Sequence, residues 1–390
     1  MKNQSRNVLF VGLSVTAMVG AGLATPSGVG AATTVTTLFG GLNAPRGIAF
    51  DGQGSMYVAE SGRALVGDPG ISMTGRVSKY ASGSTAASWR TSFESLHTNE
   101  HSGPPDALGP EGISAIGRGC MNRSNGQRNG CQIQMIMSES HDGVAAASDG
   151  HANATQLGHL FRLDGASGSA TSLSDVGDQM YAWTGAHHDL FPSDFPDSNP
   201  YGVLVTRTPG SDEIRTFVAD AGANTISEVN RDGSLRVVAY IPNENQPPFR
   251  DATPTCIAMG PDGQLYVATL NFVANLFVYG SGKSNVWRVD PDATYPAAPA
   301  LWATGLTTAN SCTFDNAGNF WATELFAPTS GPPGDLVRIP FSDPSQLTHV
   351  AGGHLPLPGG VAVGPDGALY VTVNSANPQE GSGAVVRVMP

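Results

Sequence analysis

The chain has 390 residues, of which 49 are glycine and 28 proline, while only 13% are charged. So many turn-formers with so few charges exclude a helical bundle, a coiled coil and a disordered chain, and point to a turn-rich all-β domain. The net charge of −12 excludes nucleic acid as a partner, because its backbone must be neutralised by basic groups that this chain lacks.

Lys2 and Arg6 precede an apolar run from Val8 to Leu23, and Val29-Gly30-Ala31 offers small residues for cleavage. Residues 1–31 are therefore predicted to be a secretory signal that delivers the chain to the periplasm or the exterior. An uncleaved anchor is the alternative, although the Gly- and Ala-rich run is short for a spanning helix. Residues 32–390 then form a single domain with no transmembrane segment, more negative by the two charges removed. Thr34–Phe39 is β-rich, yet it stands ahead of the first hairpin.

From Pro45 onward the chain repeats one phrase: Pro-x-Gly and two or three apolar residues, an Asp/Gly turn, then an apolar-Tyr-Val run. Pro45-Arg46-Gly47-Ile48 leads to Met56-Tyr57-Val58-Ala59-Glu60, and Pro358-Gly359-Gly360-Val361 leads to Leu369-Tyr370-Val371-Thr372. Between them, Pro110-Glu111-Gly112 pairs with Met135–Glu139, Pro200-Tyr201-Gly202 with Phe217–Asp220, Pro254-Thr255-Cys256 with Leu265–Ala268, and Asn310-Ser311-Cys312 with Phe320–Glu324. Two apolar runs about such a turn are a β-hairpin. A third β-rich run follows each, at Arg76–Tyr80, His159–Leu163, Thr225–Val229, Asn285–Val289, Asp335–Ile339 and Ala384–Val388. A fourth is clearest at Leu235–Tyr240, Ala300–Ala303 and Gln346–Val350. Four strands, six times over, predict an all-β fold, a six-bladed β-propeller. The last repeat stops at its third strand, so Thr34–Phe39 is expected to complete that blade and close the ring. An open solenoid has no need for this phase shift.

Cys120 and Cys131 bracket a polar insert in the second repeat, where a disulfide would staple a hairpin extension. Cys256 and Cys312 are read as equivalent positions of adjacent blades near the axis, either bonded or two buried free thiols.

Antiparallel pairing puts the start of each first strand and the end of each second strand on one face of the ring. That mouth is predicted to gather Arg46, Glu111, Tyr201, Thr255, Asn310 and Gly359 from the first strands. The second strands add Glu60, Glu139, Asp220, Thr269, Asn271, Glu324 and Asn374. Converging carboxylates repel one another unless something positive sits among them. A divalent cation is expected there, Ca²⁺ or Mg²⁺ by its oxygen donors, with Zn²⁺ less favoured; alternatively some acids pair with Arg46 or cap loop amides. By strand polarity every histidine except His349 belongs to this face, and His141, two residues past Glu139, is best placed as a base. Segments 97–111, 141–158 and 184–200 are long for propeller connections and predict functional loops over blades 1 to 3. The sequence contains no Gly-x-Ser-x-Gly elbow, phosphate loop, dinucleotide fingerprint or Cys-x-x-Cys.

Leu42–Phe50 with Val58-Ala59-Glu60-Ser61-Gly62, Gly109–Ile113, Asn199–Gly202 and Val218–Asn224 together resemble the ScyD/ScyE family of exported bacterial β-propellers, named after proteins of scytonemin biosynthesis. A wider resemblance is to NHL-type and gluconolactonase-like six-bladed propellers. It implies an axial Ca²⁺ or similar ion on Glu60, Asp220, Asn271, Glu324 and Asn374, while Glu139, Thr269 and Val373 depart from that pattern. Two functions follow. One is a metal-dependent enzyme of small molecules, a lactonase, lyase or tailoring enzyme of an aromatic metabolite, with its ligand in the central channel and Glu111, Glu139, Arg46 and His141 as catalytic groups. The other is a non-catalytic scaffold that binds a ligand or a protein.

Overall fold

The structure is a computed structural model that describes residues 33–65, 70–98, 106–117, 132–147, 154–192, 194–208, 211, 213–243, 251–326 and 333–390. The predicted signal at 1–31, Cys120 and Cys131 with their expected bridge, and His101 and His151 lie outside the described residues.

Six antiparallel sheets follow one another as blades. Their first strands are Pro45–Phe50, Pro110–Ile116, Pro200–Arg207, Pro254–Met259, Ala309–Phe314 and Val361–Val363. Each packs against the first strand of the next blade, and the sixth returns to the first, so the ring is closed. Thr34–Leu42 is the outer strand of blade 6 and pairs with Gly383–Met389, with Thr34 opposite Met389. The phase shift between the termini is thus the closure of the propeller, and the closing strand runs three residues beyond Phe39.

Second strands such as Met56–Glu60 and Leu265–Thr269 are buried along their whole length, because neighbouring blades cover both faces of each sheet. The Asp/Gly turn and the following aromatic form one device. Asp51 accepts the amides of Gln53 and Ser55 at 2.9 Å, and its second oxygen accepts the Tyr57 hydroxyl at 2.9 Å. The same aspartate–aromatic bond recurs between Asp262 and Tyr266, Asp315 and Trp321, and Asp366 and Tyr370.

The glycine of Pro-x-Gly sets the width of the axis. A Cβ on Gly47 would lie 2.5 Å from the Glu111 carbonyl oxygen, and one on Gly360 2.5 Å from that of Arg46. Only a residue without a side chain lets consecutive first strands approach this closely.

Two features differ from the expectation. Blade 1 carries a short fifth strand, Asp106–Leu108. The segment 141–158, read as loop, opens with helix α1 (His141–Ala147), and an unforeseen helix α2 (Val176–Ala186) runs into the segment 184–200. The Asp175 side chain accepts from the Asp178 amide and caps α2, while Val176 and Met180 bury one face against the sheet. Among the described residues no helix is long and apolar enough to cross a membrane.

Candidate active site at the axial mouth

The x of each Pro-x-Gly faces the axis, and these side chains line a central cavity of about 80 Å³. Arg46, Glu111, Tyr201, Thr255 and Asn310 meet there as expected, and Gly359 contributes backbone alone, a Cβ there meeting Ser375 and Thr372 at 2.7 Å. Arg46 Nη1 donates to the Tyr201 hydroxyl at 3.5 Å, which donates to Asn310 Oδ1 at 2.8 Å. Blades 1, 3 and 5 are thereby tied across the axis. Arg46 Nη2 also donates to Asp106 Oδ1 at 3.1 Å, so the extra strand of blade 1 serves to deliver this carboxylate.

Glu111 Oε1 accepts from the Ser61 hydroxyl at 3.1 Å. Its Oε2 lies 3.7 Å from Arg46 Nε, and neither atom has a hydrogen-bond partner although the two side chains are 1% and 9% exposed. Burial pushes the Glu111 carboxyl up to about 7; Arg46 pulls it down and Asp106 pushes it further up. For Arg46, burial works against the charge, but Glu111, Asp106 and Tyr201 outweigh it and the guanidinium stays protonated. Tyr201 is pushed up to about 12, chiefly by burial.

Glu139 sits past the end of the second strand of blade 2, with a left-handed φ of 63°. Burial, with Asp197, Asp220, Glu111 and Asp106 around it, drives its carboxyl well above the usual range. Asp197 is pushed up to about 8 and Asp251 to about 6, both mainly by burial. Asp197 therefore keeps its proton near neutrality, whereas Asp251 releases its proton below it.

The residues expected to hold an axial ion have other tasks. Glu60 pairs with Arg76 and accepts the Asn43 amide at 2.9 Å. Asp220 accepts Ser198 Oγ and the amides of Asn199, Gly222 and Ala223. Glu324 accepts the Thr307 amide. These carboxylates clip each blade to the segment that enters it. Asn271 and Asn374 have φ of 43° and 57°, a conformation that Asn tolerates better than most residues. Asn374 donates to the Ser382 carbonyl at 2.8 Å, and Asn271 Oδ1 accepts from Thr269 Oγ1.

Among the described residues, donor atoms of three or more His, Cys, Asp or Glu side chains come within 4.8 Å of one another in two places, His141–Asp142–Asp178 and Glu324–Asp335–His349. Glu60, Asp220 and Glu324 do not share such a group. At the axis Arg46 supplies positive charge.

His141 opens α1 and turns toward Asp142 and Asp178, at 3.5 and 3.8 Å, rather than lining the cavity. His97 is buried against Ser72, His187 stacks on Trp183, and His354 is exposed. His349, the one histidine assigned away from the mouth, in fact reaches mouth-side Glu324 at 3.6 Å, because the fourth strand of blade 5 carries it beside the start of the third. Sequence reasoning did not single out Asp106 or Ser61, whose contributions depend on an unforeseen strand and on a neighbouring blade.

Cys256 and Cys312 form a disulfide that lines the cavity. Their positions are not equivalent. Cys256 pairs with Ala268 as Gly202 pairs with Ala219, so it stands in the glycine position, whereas Cys312 pairs with Ala322 as Val203 pairs with Val218, one residue further on. The offset is what allows the bond: a Cβ at Gly47 likewise meets Ile113, the counterpart of Cys312.

No family model matches the chain, and no curated protein matches it by sequence. Its likeness is to solved six-bladed propellers. One is a protein of Thermus thermophilus described as a putative oxidoreductase (glucose dehydrogenase), at 14% identity and a TM-score of 0.52 over 92% of this chain and all of that one. A gluconolactonase of Xanthomonas campestris has 14% identity and a TM-score of 0.49 over 91% and 89% of the two chains. A calcium-binding regucalcin of Agrobacterium tumefaciens has 16% identity and a TM-score of 0.46 over 89% and 91%. At 14% identity the likeness to the Thermus protein shows the fold alone, a β-propeller, and leaves the chemistry to the residues of the site.

Proposed function

We propose that this chain is an enzyme of small molecules, an exported propeller of the ScyD/ScyE type, that works by general acid–base catalysis at the axial mouth. The observation that supports it is the Arg46 Nε and Glu111 Oε2 pair: one donor and one acceptor, both buried and both without a hydrogen bond, on the wall of the cavity. Leaving such groups unpaired costs about 1–3 kcal/mol each, which a bound polar substrate recovers. Glu111, with its carboxyl near 7, takes up and returns a proton close to neutrality. Arg46, always charged, holds the oxygen on which negative charge develops. Tyr201 keeps its proton and fixes the guanidinium.

A cavity of about 80 Å³ admits one small polar group. The substrate class is therefore a lactone or ester that offers its carbonyl end to the axis while its body, such as an aromatic ring system, lies over the mouth. Water adds to the carbonyl as Glu111 accepts its proton, and the departing alkoxide receives that proton back. No step requires the five-residue ion site.

The test is a panel of lactones and aryl esters offered to the wild type and to Glu111→Gln. We expect kcat/KM to fall about 10²-fold or more, with Tm within a few degrees, and a pH–rate limb near 7 in the wild type alone. A Glu111→Gln protein with full activity sinks the assignment; a folded wild type inert on the whole panel favours the non-catalytic scaffold.

A further inference from the structure

Away from the axis, blade 5 carries two buried carboxylates side by side. Glu324 ends its second strand and Asp335, directly opposite, begins its third. Their side chains are 0% and 3% exposed. Glu324 Oε2 and Asp335 Oδ1 have no hydrogen-bond partner. His349 Nδ1, from the fourth strand, lies 3.0 Å from Asp335 Oδ2 and 3.6 Å from Glu324 Oε2.

The repeat itself indicates what such a position needs. In blade 1 the corresponding acid, Glu60, also ends the second strand, and its partner across the sheet is Arg76, whose guanidinium neutralises it. Blade 5 keeps the acid and replaces the cation by a second acid. Two buried carboxylates sharing one site cannot both be ionised unless a positive charge comes between them; without one, a carboxyl keeps its proton. The arginine of blade 1 shows both the place and the sign of that charge.

We propose that Glu324, Asp335 and His349 bind a divalent transition metal of the zinc class, a site separate from the axial cavity. Two carboxylate oxygens and one imidazole nitrogen, mutually within 4.8 Å, are a donor set suited to Zn²⁺ rather than to Ca²⁺ or Mg²⁺, which favour all-oxygen shells. His349 is 40% exposed, so the ion enters from solvent beside its ring and retains an open position there. The Glu324 Oε1 bond to the Thr307 amide orients the carboxylate, as a ligand's outer hydrogen bonds do elsewhere.

The experiment uses the full chain, stripped with chelator, dialysed and titrated with ZnCl₂, with metal content by elemental analysis, affinity by calorimetry and Tm followed together. The expected result is one tightly held Zn²⁺ that raises Tm by several degrees, with binding weakened tenfold or more in His349→Ala. Asp335→Arg recreates the blade 1 pair and should fold, hold no zinc at this site and melt at a temperature indifferent to Zn²⁺. Should Asp335→Arg fail to fold, His349→Ala decides alone, since its side chain is partly exposed. His141→Ala is the control for the other cluster of donors. A wild type that retains no zinc and shows no shift overturns the proposal, as does a response abolished by His141→Ala and preserved in His349→Ala. None of these readouts involves turnover, so they stand or fall independently of the axial reaction.

Discussion

Arg46 is the residue on which the axial mouth turns. Its guanidinium reaches Asp106 of its own blade and Tyr201 of blade 3, and its Nε–H lies beside Glu111 of blade 2. The sequence placed Arg46, Glu111, Tyr201 and Asn310 at one mouth because each is the middle residue of the same phrase. It did not indicate which oxygens would be left free. That depends on which backbone amides enter each blade, and the amides of Asn43, Asn199 and Thr307 engage Glu60, Asp220 and Glu324. An acid at a repeated position thus reads equally well as a ligand and as a clip, and only the loop geometry separates the two. Tyr201→Phe tests the cross-axial link, since it removes one hydroxyl with two hydrogen bonds and leaves the ring in place. Loss of that hydroxyl should cost about 1–3 kcal/mol of stability. Denaturant unfolding would measure it, and an unchanged midpoint would mean that the link contributes nothing.

At the scale of strands and seams, most of the architecture was written in the repeat. Turn chemistry, apolar alternation and the Pro-x-Gly start all favour the same hairpin, and the third strands at His159–Leu163 and Thr225–Val229 coincide with the runs read from sequence. Helix α2 was missed because Gly177 and Gly185 fall inside it and its apolar face is narrow; what fixes it is the Asp175 cap and packing on blade 2. Blades 4 and 5 depart from the glycine rule: Ser311 takes the glycine position of blade 5, and Cys256 that of blade 4, bonded to Cys312 across a separation of 56 residues. Closing a loop of that length is worth about 4 kcal/mol on chain-entropy grounds. Reduction under mild denaturant, or the paired Cys256→Ala and Cys312→Ala variant, should lower Tm by several degrees. Calorimetry that finds equal melting with and without reductant would show the seam to be held by packing alone.

For the whole molecule the buried carboxyls set an unusual dependence on pH. Glu111, Asp197 and Asp251 are held at about 7, 8 and 6 by burial, whereas the unfolded chain releases the same protons at about pH 4. Above about pH 4 the folded state therefore binds more protons than the unfolded state, and stability falls as pH rises. The contribution is complete below the unfolded values and is lost as pH passes through 6, 7 and 8. Glu228 and Asp315, whose carboxyls are held low by their partners, act only in the acid range and do not offset this trend. Thermal melts should show Tm several degrees higher at pH 5 than at pH 8.5, and a flat or rising curve would contradict the assigned burial.

Ring closure also gives the molecule an orientation. Thr34 enters the outer strand of blade 6 opposite Met389, at the end of the sheet away from the mouth, so the chain arrives and departs on the same far face. Thr34 and Met389 thus stand on the side opposite the Arg46–Glu111 pair. The mouth is therefore free of both ends of the described ring, and substitutions at Thr34 or Met389 should leave it undisturbed.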